Sequence, residues 1–507
     1  MSLADSKEQS KGKSLADLAE RLEAAIREAA RDGKSLDEVE RDVYARIQQM
    51  GYRAVEQLLA LQGDGDLGPE VLTADGRKLQ RSEGLVDRPL RTVFGEHTIR
   101  SYVYAAGSHK AIELRPIDAR LSLPEGYGSY FFEEFSQYFC VDQAFRQGAR
   151  AMEVVLGEKV SVDTLERINQ RMGEQAEEFL DRLPTPPAQE EGELLVFTAD
   201  GKGVPLVKQD AQRVAAFDEA ERPGNRRMAT LAAVYTINRH VRTAEDIVAA
   251  LFREKRQPRR KDRPEPQFKH ITARFTQMRE EADGEQWESN GTIDAFMWAK
   301  SQIDVRRRAG QIVLRLMDGQ ESLWDKADIC LELPEDEVID ILDILHTSEY
   351  VWRGAKVLYS QKEQQETFAR ERLLRILRGE VSGVIAGLRQ MATKRGLKGA
   401  RLKVITTVCR YFEKNAHRMR YDEYLAAGYP IATGVIEGAC RHLVKDRMER
   451  SGMRWRLLGA QRMLHVRAVY QSTYWDQFQT ERIEREQLQL HPHRALLKDY
   501  HCLALAS

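Results

Sequence analysis

The sequence predicts an α/β protein in which a mixed sheet is interrupted by an all-helical insertion and is preceded by a mainly helical N-terminal region. Two consecutive apolar runs, "LLVFTADGKGVPLV" and "MATLAAVYTI", predict strands, and the strands after them alternate with helical patterns. Residues 361–427 carry helical periodicity throughout. Adjacent strands, then alternating strands and helices around a helical block, indicate this fold class.

Helices are predicted first within residues 14–62. Leu18 and Ile26 belong to the apolar face of one helix, Val39 and Ile47 to that of another, and Gly33 separates the two. Each face must pack on the rest of the chain or on a second copy. The turn-rich linker "GDGDLGPE" then leads to "RPLRTVFGEHTIRSYVYA", which alternates like a small β-hairpin.

The segment 126–182 has the layout of a helix-turn-helix. Gly157 breaks the first helix, and Ser161 can cap the second, which offers Arg167 and Arg171. Helix pairs are common in α-rich proteins, so an ordinary packed pair is the alternative to a DNA-contacting one. The proline-rich "LPTPPAQEEGE" that follows predicts a domain boundary.

Two of the predicted strands end in aspartate. The run "LLVFTADGKGVPLV" predicts a strand that ends at Asp200, and "QIVLRLMDG" predicts one that ends at Asp318, after a helix over about 292–309. "EVIDILDIL" predicts a further strand, which runs into the helix "HTSEYVWRGAKVL". A carboxylate at the end of a buried strand is costly unless it is paired, hydrogen-bonded or bound to a metal ion.

An Asp-Gly pair can also be a plain turn. "LTADGRKL" repeats the motif around Asp75 without a buried strand before it, so we predict that Asp75 is only a turn residue. A third carboxylate, Glu437, begins a helix in "YPIATGVIEGACRHLVKDRM", where Arg441 and Lys445 follow on the same face. An exposed helix ion pair is the usual explanation of this spacing.

The composition excludes a protein that is basic as a whole. The chain has 507 residues, of which 42% are hydrophobic and 31% charged, with a formal net charge of −1. Any nucleic-acid site must therefore come from local clusters. Arg253–Arg274 contains nine Lys or Arg against three acids, and Arg441–Arg467 contains eight against two.

The five cysteines are scattered without a CxxC pair, which predicts neither a zinc ribbon nor a disulfide framework. We expect a reduced, cytoplasmic protein. The polar N-terminus is unlike a signal peptide, and no apolar run approaches the length of a membrane span, so no membrane role is expected.

Asp200, Asp318 and Glu437 form the candidate catalytic set. Carboxylate oxygens suit Mg²⁺ or Mn²⁺, and two such ions would activate a water or a 3′-hydroxyl and stabilise the leaving oxygen of an in-line displacement. The carboxylates are more than a hundred residues apart from one to the next, so the intervening segments must fold outside the site.

The motifs resemble those of a known family. "FTADGKGVPL", "LRLMDGQESLW", "DILDILHTSEYVW" and above all "GYPIATGVIEGACRHLVKDRMERSGMRW" look like the bacterial insertion-sequence transposases of the Kra type, within the Mutator-like DDE transposases. The resemblance covers about residues 194–478 and, more loosely, 91–180. It implies a ribonuclease-H-like core in which Asp200, Asp318 and Glu437 hold two divalent ions.

The family's strand also carries a Cys-or-Asp, two residues, then His signature, which Asp343 and His346 match. We interpret these two residues as organisers of the strand-to-helix junction. Asp343 is nevertheless the rival of Asp318 as the second metal ligand, and His346 can instead simply cap or pack the helix that follows.

Basic residues supply the candidate DNA contacts. Trp455 could stack on an unpaired base, although a core position is its ordinary role, and a solvated charged loop is the alternative for the run around Arg259. Cys440 is expected to be a small packed residue. The full DNA-binding set is Arg167, Arg171, Arg259, Arg260, Lys261, Arg441, Lys445, Arg447, Arg454 and Trp455.

The resemblance implies a transposase that binds the terminal inverted repeats of its element, cleaves DNA and joins the 3′-hydroxyls to target DNA as a homodimer or larger assembly. A domesticated DNA-binding protein and a non-transposing nuclease are the alternatives. The predicted organisation is charged helices (1–62), a linker with a small hairpin (63–125), the helix-turn-helix (126–182), the first part of the core (193–360), the helical insertion (361–428), the Glu-bearing helices of the core (429–478) and a tail (479–507).

Overall fold

The computed structural model describes residues 14–107, 110–157, 159–215, 224–253, 263–280, 285–450 and 452–501. The chain divides into two compact units. One comprises Met1–Gln175 with Tyr474–Ser507, and the other comprises Ala176–Thr473. Within the described ranges, no helix combines the length and the hydrophobicity that a membrane crossing requires.

The first unit begins with the predicted pair of charged helices. Both start with a serine capping box, and Gly33 between them has a φ of 64°. The elements of this unit are α1 (Leu15–Arg31), α2 (Leu36–Leu61), β1 (Glu70–Leu72), β2 (Lys78–Arg81), β3 (Val86–Thr92), β4 (Gly95–Ser101), β5 (Tyr104–Ala105), β6 (Ile112–Leu114), α3 (Pro116–Leu121), α4 (Tyr130–Cys140), α5 (Phe145–Leu156), most of α6 (Val162–Asp181) and a C-terminal helix (Trp475–Leu490) followed by a 3₁₀ turn (Arg494–Leu497).

Strands β3 and β4 form the predicted hairpin, in which Thr92 pairs with Gly95. The antiparallel sheet β1-β2-β5-β6 was not predicted, because its strands have only two to four residues and little alternation. Asp75 lies in the turn between β1 and β2, as predicted, and accepts a hydrogen bond from Arg77 Nε at 2.6 Å.

The predicted break and cap of the helix-turn-helix are both present. Gly157 ends α5 in the left-handed region with a φ of 70°. The Ser161 hydroxyl accepts a hydrogen bond from the Thr164 N–H at 3.1 Å, which satisfies a free donor at the start of α6. Phe132, Met152 and Leu165 pack together in the core beneath these helices.

The second unit contains the predicted mixed sheet. Its elements are β7 (Leu194–Pro205), α7 (Lys208–Ala215), β8 (Arg226–Ile237), α8 (Ala244–Leu251), β9 (Gln267–Phe275), β10 (Gln277–Glu280), β11 (Gln286–Ser289), α9 (Gly291–Arg306), β12 (Val313–Met317), α10 (Glu321–Cys330), β13 (Val338–Leu342), α11 (Ile344–Leu358), α12 (Lys362–Leu377), α13 (Val381–Lys394), α14 (Gly399–Asn415), α15 (Tyr421–Ala426), α16 (Gly434–Ala439), a π-helix (Cys440–Lys445), α17 (Asp446–Met448) and α18 (Leu457–Gln471), with 3₁₀ turns at Glu335–Glu337 and Ala416–Arg418.

In the described part of the chain, five strands form this sheet in the order β13-β12-β7-β8-β9. The pairs β7–β8 and β8–β9 are antiparallel, whereas β7–β12 and β12–β13 are parallel. The predictions of an α/β class and a mixed sheet are therefore confirmed. The predicted helical insertion corresponds to α12–α15, which share one hydrophobic core with β12, β13 and α11 through residues such as Leu316, Ile341 and Phe412.

Several predicted boundaries were wrong. Strand β7 does not end at Asp200 but continues to Pro205, because β8 pairs with it along its whole length. Strand β13 ends earlier than predicted, at Leu342, and α11 begins at Ile344. Strand β9 and the hairpin β10–β11 were not predicted, since proline and charge precede the first and polar residues dominate the second.

Three consecutive arginines, 306–308, are engaged in contacts within the second unit. The Arg306 side chain is fully buried, and its Nε donates to Glu191 Oε1 at 2.9 Å. Arg307 forms an ion pair with Glu337, and Arg308 donates to the Gly192 carbonyl at 2.8 Å. These guanidinium groups therefore serve the fold of the second unit.

Replacing Arg306 should leave Glu191 as a buried charge without its partner. We expect Arg306→Met to lower the free energy of unfolding by about 3–5 kcal/mol, measured by urea denaturation. The control is Arg353→Met, because Arg353 is 53% exposed and lies 3.8 Å from Glu349; that change should cost about 1 kcal/mol or less. Equal effects of the two substitutions would contradict the role of the buried pair.

Candidate active site

Three aspartates lie at corresponding positions of neighbouring strands: Asp200 within β7, Asp318 directly after β12 and Asp343 directly after β13. The parallel pairing of Phe197 with Arg315, continued by three residues, brings Asp200 level with Asp318. The pairing of Met317 with Leu342, continued by one residue, brings Asp318 level with Asp343. The last pair between β7 and β12 is Phe197 with Arg315, so these strands separate before the aspartates and leave space between them.

Glu437 reaches the same region from α16. The Thr433 hydroxyl donates to Glu437 Oε1 at 3.3 Å, and the Thr433 N–H donates to Asp343 Oδ1 at 3.1 Å. Three residues after Glu437, the Cys440 thiol donates to Asp200 Oδ2 at 3.4 Å. The residue before α16 is therefore tied to Asp343 and the residue after it to Asp200, and the three predicted carboxylates belong to one cluster.

Asp343 is fully buried, and both its oxygens are used. Besides Thr433, the N–H groups of Leu345 and His346 donate to it at 3.2 Å, which caps α11. The His346 ring Nδ1 lies 3.1 Å from Asp343 Oδ2. Because these contacts occupy its acceptor positions, Asp343 is less suited than Asp318 to bind an outside ligand.

Each member of the candidate set keeps one carboxylate oxygen for an outside ligand. Asp200 Oδ1 accepts from the Gly201 N–H at 2.6 Å, and among the described residues its other oxygen accepts only from the Cys440 thiol, a weak donor. Asp318 Oδ1 accepts from the Gln320 N–H at 2.9 Å, and its Oδ2 lies 3.9 Å from His346 Nε2. Glu437 Oε2 has no hydrogen bond to a described residue.

Burial and crowding of like charges raise the pKa of two carboxyl groups. Burial is the largest cause for Asp318, and the Asp200 and Asp343 carboxylates add to it. Burial also raises the pKa of Glu437, with the Asp343 and Asp200 charges again contributing. The hydrogen bond with Asp343 and the Asp318 charge raise the pKa of His346 to about 9. Added positive charge would therefore stabilise this cluster.

Aromatic residues that the sequence did not reveal as important hold the turn after Asp318. Trp324 Nε1 donates to the Asp318 carbonyl at 2.6 Å. Tyr411, from the helical insertion, packs so closely on Gly319 that a Cβ there would overlap its ring. The Tyr411 ring stacks on that of Tyr350 at 3.7 Å between centroids. The Trp324 contact is local, six residues after Asp318, whereas no local sequence signal identifies the Tyr411 contact, because it joins distant segments.

Cys440 is buried, as expected for a packed residue, but its contact with Asp200 places it at the cluster. It also begins the π-helix, a wider turn that is frequent at functional sites. Lys202, two residues after Asp200 on the same face of β7, is a further nearby cation and lies 4.0 Å from Glu449. The sequence analysis did not single out Lys202.

Only part of the predicted basic set is accessible. Arg441, Lys445, Arg454 and Arg167 are exposed. Arg441 Nε lies 4.0 Å from Asp446, and within the described residues it forms no ion pair with Glu437. The simple ion pair that would explain the acid-then-base spacing is therefore not formed.

Three assignments to DNA contact do not fit the structure. Arg447 is completely buried and lies over the Trp455 ring at 4.8 Å, and Trp455 is itself a core residue. Arg171 forms an ion pair with the buried Glu133 inside the first unit. The three remaining assignments, Arg259, Arg260 and Lys261, lie outside the described residues.

Comparison with known proteins gives no independent assignment. No protein-family model matches this chain, and a search of curated proteins found no match. Among the described residues, no three His, Cys, Asp or Glu side chains already converge in the arrangement of a metal site.

The contact between Gly319 and Tyr411 can be tested through folding stability. Gly319→Ala should destabilise the protein by about 1–3 kcal/mol, because the added methyl group overlaps the Tyr411 ring. Tyr411→Ala should relieve the overlap, so the double variant should lose less than the sum of the single variants, as measured by urea unfolding. In the control, Gly387→Ala, the methyl group meets nothing within 4 Å, and a gain of up to about 1 kcal/mol is expected. Additive effects at Gly319 and Tyr411 would count against the contact.

The crowded carboxylates predict a pH-dependent gain from Asp318→Asn. The pKa of Asp318 is higher in the folded protein than its ordinary value of 3.8. The protonated carboxyl group therefore favours the folded state fully below pH 3.8, and this contribution is lost as the pH rises through the raised pKa. Asn keeps an acceptor for the Gln320 N–H. We therefore expect a higher melting temperature at pH 7 in EDTA, and a gain that shrinks as the pH approaches 3.8.

Asp75→Asn is the matched control, because hydrogen bonds from Thr73 and Arg77 lower the pKa of Asp75 to about 2. The ionised Asp75 carboxylate stabilises the folded protein above its ordinary pKa of 3.8, and this contribution is lost as the pH falls through about 2. Asp75→Asn should therefore lower the melting temperature at pH 7. The same sign for both variants would show that the Asp318 environment is not as described.

Proposed function

We propose that this chain is a DDE transposase of the Kra type, which binds insertion-sequence ends, cleaves DNA and transfers the 3′ ends to a target. One observation carries the proposal: Asp318 follows the end of β12 and lies close enough to Asp200 on β7 for these two charges to interact, and Glu437 lies close enough to Asp200 to interact with it as well. The sequence motifs that resemble the family contain the same three residues.

The sheet supports the ribonuclease-H-like part of the proposal. Three antiparallel strands continue into two parallel ones, and the first aspartate lies on the central strand β7. The helical insertion α12–α15 separates β13 from the helix that carries Glu437. Such an arrangement lets carboxylates from distant parts of the chain meet at one edge of the sheet.

The residues fit divalent cations. The oxygens that Asp200, Asp318 and Glu437 leave available are hard ligands of the kind that Mg²⁺ or Mn²⁺ prefers, and burial together with neighbouring carboxylates raises the pKa of Asp318 and of Glu437. These side chains would hold two ions. Bound ions would generate the nucleophile from water or a 3′-hydroxyl and neutralise the leaving oxygen.

The protein side chains would supply position and charge. The Asp343 network fixes the start of α16, and Trp324 and Tyr411 fix the turn after Asp318, so the backbone segments that carry two of the proposed ligands are held in place. Water or a hydroxyl would attack the phosphorus directly, without a covalent enzyme intermediate. The exposed Arg441 and Lys445 would contact the phosphate backbone near Glu437.

The first unit would contribute end recognition and assembly. Arg167 is exposed on α6, the second helix of the helix-turn-helix. Ile26 on α1 and Ile47 on α2 are 46% and 48% exposed, which suits contact with a second copy. Holding two DNA ends together would require such a dimer or a larger assembly.

Glu437→Gln should abolish DNA cleavage and strand transfer, whereas DNA binding should be kept. The substrate is DNA that carries the two ends of the genomic segment encoding the chain, incubated with a target plasmid and Mg²⁺. Loss of one ligand carboxylate should slow cleavage by about 100-fold or more, because metal stabilisation supplies several kcal/mol of the barrier reduction. Glu413→Gln, at an exposed ion pair on α14, should cleave and join like the wild type.

A thermal measurement provides a second readout that does not depend on the DNA sequence. Saturating Mg²⁺ should raise the melting temperature of the wild type and of Glu413→Gln, and should raise that of Glu437→Gln much less. Normal cleavage by Glu437→Gln would refute the ligand assignment. Specific binding to the ends without cleavage by the wild type would favour a domesticated DNA-binding protein, and cleavage without joining would favour a nuclease.

A further inference from the structure

A second concave site lies in the same unit as the carboxylates but does not include them. It is a cavity of about 820 Å³ between the end of β8, the start of β9 and the helix that begins with α16. Gly434, Gly438 and His442 line it from that helix, whereas Glu437 does not. The cavity is therefore separate from the candidate active site.

The described lining residues are strongly basic. Arg263 and Lys269 are exposed at the cavity, and neither forms an ion pair with a described residue. Arg242 is held in place by hydrogen bonds to the His240 carbonyl, at 3.0 Å, and to the Tyr429 carbonyl. His240 and His442 add two imidazoles, against a single lining carboxylate, Glu265, among the described residues.

Asp246 and Asp446 offset only part of this positive charge: Asp246 acts on Arg242, and Asp446 Oδ2 lies 3.1 Å from His442 Nδ1. Burial, together with the charge of Arg263, lowers the pKa of Arg242 to about 10. Two guanidinium groups that repel each other across a cavity would be stabilised by an anion between them. Backbone carbonyls already hold Arg242, so it would meet such an anion without much further ordering.

The floor of the cavity is apolar. Tyr235, Ile271, Ile431, Val435 and Leu443 all contribute to the lining. Sites for small organic ligands have volumes of about 300–1,000 Å³ and combine apolar walls with a few polar groups. A bare inorganic anion would leave this apolar surface uncovered, whereas a nucleotide offers both a base and a phosphate.

We propose that this cavity binds a nucleotide, with its phosphate at Arg242, Arg263 and Lys269 and its base against the apolar floor. The nucleotide is part of a single DNA strand that passes the helix carrying Glu437. The assignment to DNA, rather than to a free nucleotide, rests on the proposed function. A free nucleoside phosphate has the same chemistry and is the other source.

Protection of Lys269 from chemical modification tests the proposal on the wild-type protein. The full chain is treated with an amine-acylating reagent in EDTA, with or without a 5′-phosphorylated single-stranded oligonucleotide, and modified lysines are quantified by mass spectrometry. The oligonucleotide should reduce modification of Lys269 about tenfold at saturation. Lys403, exposed on α14 away from the cavity, should be modified equally in both samples.

A charge-reversed pair of variants supplies the second measurement. Arg263→Glu with Lys269→Glu should weaken oligonucleotide binding by about tenfold or more and reduce its salt dependence, because two phosphate contacts are lost. Lys403→Glu with Arg410→Glu changes the net charge equally on the exposed face of α14 and should bind within about twofold of the wild type.

The source of the phosphate is decided by a parallel sample with a deoxynucleoside monophosphate. Protection by the oligonucleotide supports the DNA assignment, and protection by the monophosphate alone would overturn it. No protection by either ligand, or equal loss of affinity in both variant pairs, would overturn the cavity as a binding site. All binding is measured without metal, so the two proposals can fail separately. The protein could still cleave DNA if the cavity binds no nucleotide, and the cavity could still bind a nucleotide if Glu437 proves not to be a metal ligand.

Discussion

The carboxylate cluster depends on the buried side chain of Asp343. A carboxylate without solvent must be neutralised or fully hydrogen-bonded, and here the donors come from the start of α11, from His346 and from Thr433. Thr433 lies 90 residues further along the chain. The need to satisfy one buried charge therefore fixes the segment that carries Glu437 beside the ends of the parallel strands.

The same cluster works against folding stability. Burial and the proximity of like charges raise the pKa of Asp318 and Glu437, so their ionised forms oppose the folded state at neutral pH. The protein accommodates this through the large shared core of the sheet and the helical insertion. A crowded acidic site of this kind is expected where a bound cation would offset the repulsion between the carboxylates.

The helical insertion has a role beyond joining β13 to α16. Tyr411 from α14 packs on the turn after Asp318, and Arg418 lies over the ring of Trp324 at 4.0 Å while Trp324 binds the Asp318 carbonyl. A change in the insertion would thus alter the position of a candidate ligand. The basic cavity lined by Gly434, Gly438 and His442 is a separate feature of the same unit.

The sequence by itself determined the features that depend on neighbouring residues. Helical periodicity, the capping serines, the break at Gly157 and the apolar runs of β7 and β12 are local, and they gave the α/β class and the three candidate carboxylates. Tertiary structure alone decided which side chains are exposed and which strands pair. Arg447 and Trp455 look like a basic, aromatic DNA surface but pack inside the core, because burial of a long side chain depends on distant segments. The convergence of Asp200, Asp318 and Glu437 likewise follows from strand register and from the hydrogen bonds of Asp343, which no local pattern encodes.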